Sequence, residues 1–375
     1  MNMRKVVWVG VAAIALFEAG FAHADVIRLG IAGPLTGPIA HLGKDAESGA
    51  KLAVNELNRQ KLVIGGVPVT FELVSEDDQG DPKDAVKVAQ RLVDDGVKGV
   101  IGHLNSGPTI VASRIYANAG VPQVAPVATN PTLTTQGFRT TFRLMATDNQ
   151  QGGKLAAFAK RIAGSGGIAL VDDRSAYGQG LIDEVEKDLR ALGVTPLARE
   201  YTNDKAVDFS GILTRIKAAQ PAVIVYGGAD AQAGPMVKRM IELGINAAFI
   251  GGDGVCTADW TKLSGGANER QYCTQAGAPH DRMPRYAEFK AKFERQFGKI
   301  VVFAPYSYDA TMLIADAMRR ANSVDPKVYV NALATSRYTG ITGEISFSPT
   351  GDNINGTVAV YQIKNGNLVP VSNSN

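Results

Sequence analysis

The stretch Val97-Lys-Gly-Val-Ile-Gly-His103-Leu-Asn-Ser106-Gly-Pro108-Thr-Ile-Val-Ala-Ser-Arg-Ile-Tyr-Ala-Asn-Ala119-Gly120-Val-Pro-Gln-Val124-Ala-Pro-Val-Ala-Thr129 decides the fold. Val97 to His103 is a short apolar run that reads as a strand. Pro108 to Ala119 has helical spacing with Gly120 as its stop, and Val124 to Thr129 is a second apolar run. One helix linking two apolar strands is the unit from which parallel sheets are built. Upstream, Val26 to Ile31 and Val67 to Val74 read as strands, with Ala46, Ala50, Ala53 and Leu57 on one helix face between them and a second helix opening at Pro82. After Asp148 the rhythm restarts, with strands at 168–172, 197–201, 222–226 and 249–251 alternating with helices. Helices at 286–297 and 308–321 and a turn-rich tail with β character at 345–347 and 358–363 close the chain. The class is α/β, with two Rossmann-like lobes expected.

Length and ends agree. Arg4 and Lys5, the apolar run Val6–Phe17 and Ala22-His-Ala24 form a cleavable secretory signal peptide over residues 1–24. Twelve apolar residues are too few to cross a bilayer, which needs about 20. No Cys lies near the cleavage point to accept a lipid, so a freely diffusing periplasmic protein starting at Asp25 is expected. The remaining 351 of 375 residues suit two domains. The formal charge is +3, and Arg4, Lys5 and Glu18 in the leader account for +1 of it. Such near-neutrality, without basic tracts or long apolar runs, argues against nucleic acid and against membrane embedding. Export also favours a disulfide between Cys256 and Cys273 over two buried free thiols or a redox pair, the last lacking C-x-x-C spacing.

Catalysis has no candidate constellation: His41, His103 and His280 are far apart, and no H-E-x-x-H or G-x-S-x-G occurs. The loop Gly30-Ile-Ala-Gly33-Pro-Leu lacks a third glycine, and Pro34 removes an N–H that a phosphate cradle would use, so no cofactor is expected. Binding is better served. In an open parallel sheet the carboxyl ends of strands face the ligand crevice. One such end leads through Ser106 into a helix start suited to a carboxylate, where Ser106 either donates to the ligand or caps the helix. Another carries Val127-Ala128-Thr129, where Thr129 can donate to the same carboxylate. In the second lobe Asp253 ends a strand, either as an ordinary turn residue or as partner to an ammonium.

From Asp25 to about Phe347 the chain resembles the leucine/isoleucine/valine-binding proteins that deliver amino acids to ABC importers. The resemblance is carried by Gly37-Pro-Ile-Ala-His-Leu-Gly, Glu76-Asp-Asp-Gln-Gly-Asp-Pro-Lys, Val100-Ile-Gly-His-Leu-Asn-Ser, Ala128-Thr-Asn-Pro, Ala176-Tyr-Gly-Gln-Gly, Val225-Tyr-Gly-Gly and Gly252-Asp-Gly-Val. It implies a type I periplasmic-binding fold, its lobes joined by three crossovers and closing on a free amino acid for a membrane permease. The lobes would be 25–147 plus 278–354 and 148–277 plus 355–375, in a monomer. The ligand carboxylate would be held by Ser106 and Thr129 with backbone near Val127 and Ala128, and the ammonium by Asp253. Tyr177 and Tyr308 would wall the cleft. Leu42 and Ala229 stand where the family has an aromatic and a tyrosine, which implies a roomier side-chain pocket. Asp230 is placed either to reach a polar ligand group or to cap the following helix. The family's early disulfide is missing, its positions being Gly80 and Asn105.

Overall fold

The computed structural model describes residues 24–265 and 269–371. The expected leader, apart from Ala24, lies outside the described residues. β1 (Asp25–Gly33) runs inside a six-stranded sheet with Ile27, Leu29 and Ile31 buried. It is followed by α1 (Ala40–Arg59), the hairpin β2 (Val63–Ile64) and β3 (Val67–Asp77), α2 (Pro82–Asp94), β4 (Gly99–Gly102) and α3 (Ser106–Ala119). β5 (Gln123–Ala125), a short α4 (Thr132–Thr135) and β6 (Thr141–Arg143) complete the sheet. Its order is β2-β3-β1-β4-β5-β6, parallel except at the hairpin.

The second lobe contains α5 (Asp148–Ala163), β7 (Ile168–Asp172), α6 (Ala176–Ala191), β8 (Ala198–Tyr201), α7 (Ser210–Ala219), β9 (Val223–Gly227), α8 (Asp230–Glu242), β10 (Ala248–Gly251), α9 (Ala258–Leu263) and β11 (Gln271–Gln275). The chain returns to the first lobe for α10 (Tyr286–Phe297), α11 (Ala304–Ala321), α12 (Pro326–Ala334) and the hairpin β12 (Arg337–Thr339) and β13 (Glu344–Ser346). It ends in β14 (Ala359–Lys364) and β15 (Asn367–Pro370) of the second sheet, ordered β15-β14-β11-β10-β9-β7-β8. Only the β11–β14 and β14–β15 pairings are antiparallel there. The molecule is thus two α/β lobes with mostly parallel sheets, crossed three times by the chain. The crossings lie side by side: Ala146 N–H donates to Ala276 O at 3.2 Å and Gln150 Nε2 to Gly356 O at 3.3 Å.

Local chemistry sets the element ends. Asp81 caps α2 by accepting from Lys83 N–H, Pro82 takes the first helical position, and Ala85, Val88, Ala89 and Leu92 form the buried face. Thr147 and Gln150 make a reciprocal capping box at α5. Helix α1 crosses α11 at Gly49, where a Cβ would sit 2.1 Å from Ala304 O. The strand expected to reach Thr129 stops at Ala125, because Pro126 has no N–H to continue the ladder. Strand β11 escapes sequence reading because Gln271, Thr274 and Gln275 are polar yet buried. No described helix is long and apolar enough to cross a membrane.

Candidate functional site

A cleft of about 390 Å³ opens between the lobes, within the usual range for small-molecule sites. Its first-lobe wall is made by segments leaving the carboxyl ends of β4 and β5. Ser106, Val127, Ala128 and Thr129 all line it. Asn105 occupies the cap position of α3, so Ser106 is its first helical residue and the cap role falls away. The Ser106 hydroxyl accepts from Asn130 N–H at 3.4 Å and is almost fully buried. With Pro108 contributing no N–H, the free backbone donors at this helix start come from Ser106 and Gly107. The Thr129 loop is pinned from behind: buried Arg143 donates to the carbonyls of Ala128 (3.2 Å) and Asn130 (2.7 Å) and, through Nε, to Asp352 (2.8 Å).

The facing wall presents Asp253, which starts a short 3₁₀ turn after β10 and is 2% exposed. Gln151 Nε2 (2.7 Å) and Tyr177 OH (2.8 Å) both donate to its Oδ1. Gln151 Oε1 in turn accepts from Asp253 N–H (3.1 Å) and Thr274 Oγ1 (2.6 Å), while Gly254 N–H donates to Tyr177 OH (3.1 Å). Hydrogen bonds from other side chains therefore converge on one carboxylate oxygen. The approach of Tyr177 requires Gly252, whose Cβ would lie 2.3 Å from the tyrosine hydroxyl. Burial pushes the Asp253 carboxyl up, opposed by Gln151 and Tyr177. Asp148, buried at the start of α5, is pushed to about 8 by burial and then by the Asp253 charge. At neutral pH the Asp148 carboxyl therefore keeps its proton, while the Gln151 and Tyr177 donors favour the carboxylate form of Asp253. Cys256 and Cys273 are joined by a disulfide (Sγ–Sγ 2.03 Å) that ties the end of this turn to β11.

An apolar patch completes the cleft. Leu42 and Ala229 line it, together with Ile39, Leu104 and Phe303. Tyr308 does not. Its hydroxyl donates to Glu56 at 2.7 Å and its ring packs edge-on against Phe289, inside the first lobe. The physical reason is the start of α11: buried Asp45 accepts the N–H groups of Val301, Val302, Phe303 and Ala304, which fixes Phe303 toward the cleft and turns Tyr308, more than one turn later, away. Asp230 does not cap α8 either. Ala229 holds the cap position without a side-chain bond, and Asp230 Oδ2 instead meets Thr257 Oγ1 (2.6 Å) and His41 Nε2 (2.8 Å). Gln151, Thr274 and Phe303 were not foreseen. Among the described residues no group of three or more His, Cys, Asp or Glu is placed to hold a metal ion.

Known proteins share this architecture. The family model for periplasmic binding proteins matches residues 26–367. A Leu/Ile/Val-binding protein homolog from Brucella melitensis is 36% identical over 352 residues, covering 93% of this chain and 94% of its own. A leucine-, isoleucine-, valine-, threonine- and alanine-binding protein from Pseudomonas aeruginosa is 33% identical over 355 residues, covering 93% and 94%. The crystal structure of a leucine-binding protein from Thermotoga maritima superposes with a TM-score of 0.85 at 25% identity, covering 92% of this chain and 98% of its own. A branched-chain amino-acid transporter substrate-binding protein from Streptococcus pneumoniae, solved with isoleucine, gives 0.82 at 25% identity, covering 92% and 100%. By fold, cleft and sequence, the chain belongs to the periplasmic binding protein family.

Proposed function

We propose that this protein is the substrate-binding component of a branched-chain amino-acid ABC importer, and that it closes its two lobes on a free amino acid. The observation that carries the reading is the division of labour in the cleft. Donors at Ser106 and Thr129 stand on one wall, a buried carboxylate at Asp253 on the other, and an apolar patch around Leu42, Leu104 and Phe303 beside them. An α-amino acid with an aliphatic side chain has the complementary three parts. Val127 and Ala128 contribute backbone beside the carboxylate, Tyr177 closes over the ligand, and Ala229 borders the side-chain pocket. The lobes are assigned to 25–147 with 278–354 and to 148–277 with 355–375, moving about the three adjacent crossings. Residues 1–24 act as a leader that delivers the mature chain to the periplasm, where the monomer presents its closed form to a membrane permease. No bond is made or broken.

A thermal-shift panel of the twenty amino acids on protein freed of ligand by unfolding and refolding tests this directly. Leucine, isoleucine or valine at about 100 times its dissociation constant should add roughly 2.7 kcal/mol. A panel in which those three leave the melting temperature unchanged contradicts the assignment.

A further inference from the structure

His41 and Asp230 are the chain neighbours of Leu42 and Ala229, and they meet across the cleft. His41, the second residue of α1 in the first lobe, reaches Asp230, the first residue of α8 in the second, with Nε2 and Oδ2 2.8 Å apart. The Asp230 side chain is fully buried, while that of His41 is 26% exposed. Among the described residues of its own lobe Asp230 receives only the Thr257 hydroxyl, and its Oδ1 is buried without a hydrogen-bond partner there. Closing the lobes without a cation at this point would bury a carboxylate with no compensating charge, which is costly. Opening them would separate the pair.

We propose that the His41–Asp230 pair is a proton-operated latch: lobe closure takes up a proton on His41, so ligand affinity rises as pH falls through the histidine range. The inference rests on the amino-acid-binding reading above. The groups facing His41 are acidic on each element packed against it. Asp230 comes from α8, and Asp259 comes from α9, paired there with the exposed Lys262 at 2.8 Å. Asp45 lies one turn along α1, already bonded to four backbone amides. Lys44 on the same helix is exposed. Two effects oppose a charge on His41: burial, and the positive end of α1. Burial lowers its pKa, but the hydrogen bond and charge of Asp230, with the charges of Asp259 and Asp45, outweigh it and leave the group raised. Because the closed form holds the proton more tightly than the open form, the latch contributes fully below the ordinary histidine value and is lost as pH rises through the raised one.

The test is calorimetric titration with L-leucine between about pH 6 and about pH 8.5, on wild type, His41→Gln and Asp230→Asn. Wild type should tighten toward the acid end by about fivefold or more relative to both variants, the low end of coupling between sites. Wild type should also take up more protons on binding than His41→Gln, read by repeating the titration in buffers of different ionisation enthalpy. Using the variants as the reference cancels the titration of the buried Asp148 beside Asp253, which acts on all three proteins alike. Intact leucine binding with parallel pH profiles in all three overturns the latch alone. Absence of leucine binding by all three at every pH overturns the amino-acid reading, and the latch with it.

Discussion

At the scale of single residues, the cleft is governed by where charge is left after burial. Asp148 and Asp253 are both buried; the carboxyl of Asp148, pushed up to about 8, keeps its proton at neutral pH, while two side-chain donors favour the charged form of Asp253. The folded chain binds the Asp148 proton far more tightly than an unfolded chain, whose aspartates titrate near about 4. That contribution to stability is complete below the unfolded value and is lost as pH rises through about 8. Asp148→Asn, neutral at every pH, should therefore gain a few kcal/mol over wild type at about pH 8.5 and change little at about pH 4. Urea unfolding of ligand-free protein at the two pH values measures this; an equal effect at both would remove the electrostatic explanation. Gln151 works differently, since its amide both donates to Asp253 and accepts from the Asp253 backbone, holding the carboxylate's orientation without adding charge.

At the scale of elements, the turn that bears Asp253 is held at its end by a covalent bond. The Cys256–Cys273 disulfide closes a sequence separation of 17 between the turn after β10 and its parallel neighbour β11, the strand that also supplies Thr274 to the Gln151 network. Replacing both cysteines by serine should lower unfolding stability by about 3 kcal/mol and also weaken ligand binding. Unchanged binding would show that β11 holds the turn without the bond. The same elements show what a sequence discloses and what it withholds. Most of the alternating apolar strands and helices from Val26 to Gly251 were legible, though not β2, α4 or β6, and Ser106, Thr129 and Asp253 stood out as candidates because each follows a strand end that the alternation reveals. Gln151 and Phe303 were not, because Gln151 sits inside a helix turn and Phe303 owes its direction to Asp45, 258 positions earlier. Tyr308 was misplaced for the same reason: its direction follows from the register of α11, which begins at Ala304. The His41–Asp230 contact, 189 positions apart, depends on two lobes meeting and leaves no local trace in the sequence.

At the scale of the molecule, each lobe has its own core. One gathers around Leu29, Ile101, Leu313 and Tyr329, the other around Ile224, Phe249 and Trp260, while a separate cluster containing Leu42, Leu104, Met145, Ala276 and Phe303 lies beside the three crossings. Because the lobes are built independently, ligand can act on their relation without disturbing either core. Among the described residues the cross-cleft bonds are few, such as Asn130 Nδ2 to Ala176 O at 2.6 Å and the His41–Asp230 pair, so the ligand's own charges must supply much of the closing energy. The central claim is that Asp253 is the counter-charge to a bound amino acid, and its most direct test is calorimetric titration of refolded, ligand-free protein with L-leucine beside Asp253→Ala. The account predicts one site in the wild type and a loss of roughly 3–5 kcal/mol in the variant, the cost of leaving a buried charge unpaired. Equal affinity in the two proteins would contradict it.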